Sequence, residues 1–140
     1  MGANNAYIHV MAESVNGGGP RVLVTDDNAE VLVTFCDLLR PEFTPVGAAS
    51  CAEALALMRE EPVDVALLDY NLPDGNGYTL LADLVVCNPR IRAVIITGGG
   101  MPSAGPVSIE SHIVRCLVKP ASGEALRSAV REALSASPES

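Results

Sequence analysis

The stretch Asp64–Tyr78, DVALLDYNLPDGNGY, decides the fold. Val65, Ala66, Leu67 and Leu68 form an unbroken apolar run. A strand that is apolar at every position is covered on both faces, as strands are inside a parallel sheet. The run ends in a carboxylate, Asp69, and Pro73, Gly75 and Gly77 then shape a turn-rich segment. Asp69 is therefore either a solvated strand end or a reactive group presented at the rim of a sheet.

The pattern repeats on both sides of this stretch. Upstream, RVLVT (21–25) is a short β-branched strand that runs into Asp26 and Asp27. Asn28 is placed to cap a helix reaching about Arg40, where Pro41 forbids continuation. Val31, Leu32, Phe35, Leu38 and Leu39 give that helix one apolar face. FTPVGA (43–48) is a second strand, assigned to a sheet edge because of Pro45. Ser50 with Glu53 forms a capping-box signature ahead of the helix CAEALALMREE. Downstream come a third helix (GYTLLADLVVCN), a fourth strand (RAVIIT), a fifth strand (HIVRCLV) and a last helix (SGEALRSAVREAL). Strand and helix alternate with short connections, which predicts an α/β fold with a parallel sheet and right-handed crossovers. GGGMPSAGPVS (98–108) breaks the rhythm, because Gly and Pro oppose a regular fourth helix; a short turn remains around Ser108–Ser111. The expected organisation is a flexible N-terminal tail over 1–20, one domain over 21–135, and a C-terminal tail over 136–140.

A chain of 140 residues, 49% hydrophobic, suits one domain with one core. The formal net charge of −8 repels nucleic-acid phosphates, so no direct nucleic-acid partner is expected. Cys36, Cys51, Cys87 and Cys116 form no C-x-x-C pair, and His9 and His112 add no ligand spacing, which argues against zinc. The plain expectation is buried, reduced thiols in a cytoplasmic protein. No apolar run spans a bilayer, the N-terminus lacks a basic signal-peptide region, and Ala6 stands where a myristoylation signal needs Ser or Thr. No membrane partner is expected.

In a doubly wound sheet, ligands bind at the carboxyl ends of the strands. Asp26 and Asp27, Asp69, Thr97 and Lys119 occupy those ends. Three crowded carboxylates call for a cation, and hard oxygen donors favour Mg²⁺. A carboxylate also serves as a nucleophile toward phosphorus, and a hydroxyl and an ammonium suit the oxygens of an aspartyl phosphate.

With these motifs together, the chain resembles a receiver domain of two-component signalling, the phosphoacceptor of response regulators and hybrid histidine kinases. VLVTDDN resembles the first strand with its acidic pair, and LLDYNLPDGNGY the phosphoacceptor loop. VIITG resembles the strand of the switch hydroxyl, and CLVKP the lysine-proline strand end. The resemblance covers about residues 20–135. It implies a flavodoxin-like five-stranded sheet in the order 2-1-3-4-5 with an irregular fourth helix. It also implies Mg²⁺ as cofactor, with Asp69 as the phosphorylated residue, Asp27 a direct ligand, Asp26 a ligand through water, and the Asn71 carbonyl completing the set. Thr97 would bond the phosphoryl group, Lys119 would pair with it, and the Lys119–Pro120 bond would be cis.

The implied partners are a sensor histidine kinase or a histidine phosphotransfer protein, with an effector downstream. Such a domain is no conventional turnover enzyme; it catalyses its own phosphorylation and dephosphorylation, and a histidine kinase is a possible parent chain. Two departures stand out. Cys116 replaces the Tyr or Phe that usually partners the switch hydroxyl Thr97, and the fourth helix is degraded; both features resemble receivers of hybrid kinases or stand-alone receivers. A phosphorylation-independent binding module of the same fold is the alternative. A phosphohydrolase of the haloacid-dehalogenase type needs a second Asp where Asn71 stands. Asp74 is assigned to the turn, His112 to a structural or exposed role, and Cys116 to core packing.

Overall fold

A computed structural model describes residues 19–100, 102 and 105–136. The elements are β1 (Arg21–Thr25), α1 (Ala29–Leu39), β2 (Thr44–Ala48), α2 (Cys51–Glu60), β3 (Val65–Asp69), β4 (Asn71–Leu72), β5 (Gly75–Asn76), α3 (Gly77–Cys87), β6 (Arg92–Thr97), α4 (Val107–Glu110), β7 (Ile113–Val118) and α5 (Gly123–Ser135). The five long strands form one parallel sheet in the order β2-β1-β3-β6-β7, which is the anticipated 2-1-3-4-5 order, so the fold is flavodoxin-like. β4 and β5 form a two-rung antiparallel hairpin directly after Asp69, where a plain loop was expected.

Strand alternation divides the core. Val22 and Val24 of β1, Val65 and Leu67 of β3, and Val94 and Ile96 of β6 pack under α1 and α5 with Leu32, Phe35, Leu126 and Val130. Leu23, Ala66, Leu68, Ala93 and Ile95 face the opposite layer with Ala54, Met58, Leu80, Leu84 and Ile109. All five residues of β3 are buried, as an unbroken apolar run at the centre of a doubly covered sheet requires. β2, which carries Pro45, lies at an edge as expected. β7 is the other edge; it is only half-covered, because α4 is a single turn of four residues and shields little of it.

The helix signals are met locally. Asn28 Oδ1 accepts the Val31 N–H at 3.0 Å, and Ser50 Oγ accepts the Glu53 N–H at 3.1 Å. Glu53 reaches back to the Ala49 N–H, one residue before the cap, at 2.6 Å. Asn76 and Thr79 form a full capping box at α3 that was not anticipated. Gly19 and Pro20, grouped with the tail on composition, accept hydrogen bonds from the Thr44 hydroxyl and amide respectively. The rest of the proposed tails, 1–18 and 137–140, lies outside the described residues. The cysteines correct one expectation: Cys36 is buried, Cys51 and Cys116 are half-buried, but Cys87 is exposed at the end of α3. His112 is structural: its Nδ1 lies 2.9 Å from the Ile91 carbonyl oxygen, near the buried Arg92. No helix of the described residues is long and apolar enough to cross a membrane.

Candidate functional site

The carboxyl ends of β1, β3 and β7 bring Asp26, Asp27, Asp69 and Lys119 to one rim. Asp26 is fully buried and Asp69 is 3% exposed, whereas Asp27 stands exposed at the mouth. One oxygen from each of the three carboxylates can be chosen so that all lie within 4.8 Å of one another. Lys119 Nζ bridges two of them, at 2.8 Å from Asp26 Oδ2 and 3.2 Å from Asp69 Oδ2. The Lys119–Pro120 bond is cis, as the resemblance implied.

Backbone groups complete the cradle. Asp26 Oδ1 accepts the Asn28 N–H at 2.9 Å, and the Asp26 N–H donates to the Ala48 carbonyl at 3.2 Å. Asp69 Oδ1 accepts the Asn71 N–H at 3.3 Å. The buried Thr25 hydroxyl accepts the Asp69 N–H at 3.0 Å and anchors the Asp69 main chain. The sequence places Thr25 only as the last residue of the strand RVLVT and gives it no role at the site; a hydroxyl directly before the acidic pair was the available signal.

The charges are unequal in setting. Burial pushes the Asp69 carboxyl above its usual range, the Asp26 charge adds to this, and Lys119 pulls it back. Burial alone would lower the Lys119 ammonium, but its bonds to Asp26 and Asp69 outweigh that and raise it. A single ammonium against three carboxylates leaves an excess of negative charge and hard oxygen donors, which fits a divalent cation such as Mg²⁺.

Thr97 is buried at the end of β6, and its Oγ1 accepts the Gly99 N–H at 3.3 Å. No hydrogen bond joins it to Asp69 among the described residues. Cys116 packs half-buried against the same core layer as Tyr70 and Tyr78. Those two rings meet edge to face, with centroids 5.1 Å apart. The aromatic rings of this layer thus come from the segment after Asp69 and from α3. Burial raises the Cys116 thiol, in keeping with a packing role. Asp74 lies in the turn as assigned, and its carboxylate also bonds to the start of α2.

A parallel five-stranded α/β sheet with an acidic pocket and a lysine at its carboxyl rim defines a class of phosphoacceptor-like domains. The family model for the response regulator receiver domain matches residues 22–131, and the chain belongs to that family. It is a receiver domain of two-component signalling. The alginate biosynthesis transcriptional regulatory protein AlgB of Pseudomonas aeruginosa is 35% identical over 115 residues. That match takes in 81% of this chain and 26% of AlgB, so the chain spans about a quarter of that relative. A CheY-like response regulator receiver domain protein from Methanospirillum hungatei superposes with a TM-score of 0.75 at 25% identity, covering 84% of this chain and 94% of that one. A response regulator from Burkholderia pseudomallei, solved with a phosphorylated aspartic acid, a calcium ion and citrate, is 28% identical, with a TM-score of 0.68. It is covered to 66%, and this chain to 79%.

Proposed function

We propose that the chain accepts a phosphoryl group on Asp69 from a phosphohistidine of a sensor histidine kinase or a histidine phosphotransfer protein. The observation that carries this reading is the bridge from Lys119 to Asp26 and Asp69, residues 93 and 50 positions away in sequence. The phosphorylated aspartic acid of the Burkholderia pseudomallei relative supports it.

An Asp69 carboxylate oxygen attacks phosphorus, the P–N bond to the donor imidazole breaks, and the imidazole retains the electron pair and takes up a proton. Burial keeps Asp69 poorly hydrated and ready to attack, and β3 holds it rigidly in line. Lys119 follows the developing negative charge onto the phosphoryl oxygens. Asp26, Asp27, Asp69 and the Asn71 carbonyl would hold a Mg²⁺, which when bound neutralises phosphoryl charge. Water attack on the same phosphorus breaks the Asp69 O–P bond, releases inorganic phosphate and returns the free carboxylate, so the domain resets itself.

A groove of about 580 Å³ opens beside Lys119, lined on α1 by Val31, Thr34, Phe35 and Leu38 and capped by Pro120. We assign the donor to this surface, because a phosphohistidine must lie over the same rim. Thr97 holds the Gly99 N–H through a long bond and exchanges it for a phosphoryl oxygen. The response passes to the half-covered β7, with Cys116, and to the single turn of α4, where an effector protein binds in the cytoplasm. A phosphorylation-independent binding module is not favoured, since it has no need for the assembled acidic trio and lysine.

Phosphoramidate with Mg²⁺ should add one phosphoryl mass to the peptide containing Asp69. Asp69→Asn should take none while keeping its circular dichroism. Labelling at another residue, or none in the wild type, would overturn the reading.

A further inference from the structure

We propose that Asp74 is a positioning residue for phosphoryl acceptance: it clasps the hairpin that follows Asp69 onto the N-terminus of α2 and so holds Asn71 beside the acceptor. The inference rests on the phosphoacceptor reading above.

The first N–H groups of a helix have no partner inside it. At α2, Ser50 satisfies only Glu53. The Cys51 N–H donates to Asp74 Oδ1 at 2.8 Å, and the Ala52 N–H donates to Asp74 Oδ2 at 3.0 Å. Both oxygens of one carboxylate, 22 and 23 residues away in sequence, thus complete the cap from another element. The positive end of the helix favours that charge, and these two bonds hold the Asp74 carboxyl below its usual range. Gly75 shows how closely the hairpin is pressed in. A Cβ there would lie 3.0 Å from Thr79 Oγ1 and 3.1 Å from Cys51 Sγ, so the tip is wedged between α2 and α3.

The clasp reaches the acceptor through a short, rigid path. The hairpin has two rungs, Leu72 opposite Gly75 and Asn71 opposite Asn76. Leu72 is buried, and the Asn71 N–H donates to Asp69 Oδ1. On its other side α2 follows β2, whose Ala48 carbonyl holds the Asp26 N–H. Asp74 therefore closes a ring of contacts that runs from Asp69 through the hairpin and α2 to Asp26. Loss of the clasp frees the hairpin to swing about Tyr70 and carries Asn71 off the rim. A supporting contact of this kind governs how well the groups at the site are aimed.

A simple helix cap would stabilise α2 and do nothing more. Ser50→Ala removes a cap from the same helix end without touching the hairpin, and so separates the two roles. The full chain and its Ser50→Ala, Asp74→Asn and Asp74→Ala variants are compared for phosphoramidate labelling rate, Mg²⁺ affinity and melting temperature. Asp74→Ala should lower the labelling rate or the Mg²⁺ affinity about tenfold. Asp74→Asn, which keeps one acceptor oxygen, should fall between it and the wild type. Ser50→Ala should melt earlier yet label at the wild-type rate. Wild-type labelling and Mg²⁺ affinity in Asp74→Ala, or an equal loss in Ser50→Ala, overturns the proposal. If Asp74→Ala does not fold, Asp74→Asn against Ser50→Ala decides: slower labelling in the first alone supports the clasp, and equal rates overturn it. A wild-type chain that takes no phosphoryl group overturns the acceptor reading, and the clasp falls with it.

Discussion

Thr25 shows how one hydroxyl serves the site. It is fully buried and takes the Asp69 N–H where β1 and β3 part. Thr25→Val keeps the shape but strands that N–H, and should lower the unfolding free energy by about 1–3 kcal/mol. Thr25→Ser should lose much less. Urea denaturation checks this, and a Val variant with the wild-type midpoint would mean the bond contributes nothing. The thiols give a second test at this scale. Burial pushes Cys36 up to about 12, while Cys87 is exposed. At pH 8 iodoacetamide should label Cys87 first and reach Cys36 only on unfolding. Peptide mapping over a time course measures the order, and early modification of Cys36 would contradict its packing.

At the scale of elements, the start of α3 sets the distance between the segment after Asp69 and its helix. A Cβ on Gly77 would stand 3.0 Å from the Asp69 carbonyl oxygen and 3.3 Å from the Tyr70 Cα. Both are backbone atoms and cannot swing aside. Gly77→Ala should therefore cost about 1–3 kcal/mol through displaced backbone, with slower labelling of Asp69. A thermal melt beside a phosphoramidate time course reads both effects. On the opposite layer α5 is tied to the loop after α1: Arg131 Nε and Nη2 donate to Glu42 at 2.8 and 3.1 Å. These bonds hold the Glu42 carboxyl below its ordinary value of 4.5. The sign follows from linkage: the stabilisation is present above pH 4.5 and disappears as pH falls through the lower folded value. The groups are exposed, so the effect should be small and should fade in high salt. Glu42→Gln should remove it, which acid titration of wild type and variant at two salt concentrations would reveal.

For the whole molecule, charge links the cation to the fold. Mg²⁺ at a hundred times its dissociation constant should raise the unfolding free energy by about 2.7 kcal/mol, read as a higher melting temperature that EDTA reverses. Asp27→Asn should weaken this response while leaving the EDTA melting temperature nearly unchanged, because Asp27 is exposed and Lys119 engages the other two carboxylates. An undiminished Mg²⁺ shift in that variant would remove Asp27 from the ligand set. The parallel sheet, the edge position of β2 and the rim position of Asp26, Asp27, Asp69 and Lys119 were legible in the residues themselves, and the sheet order followed from the family resemblance. Apolar periodicity, proline placement and strand-end residues are local signals, and short loops leave a parallel sheet few ways to connect. Tertiary structure alone decided which groups meet. The bridge of Lys119 to Asp26 and Asp69, the hold of Thr25 on the Asp69 amide, and the grip of Asp74 on α2 join residues dozens of positions apart. Hydrogen bonds depend on distances of a few tenths of an ångström, and such distances are set only when the layers pack.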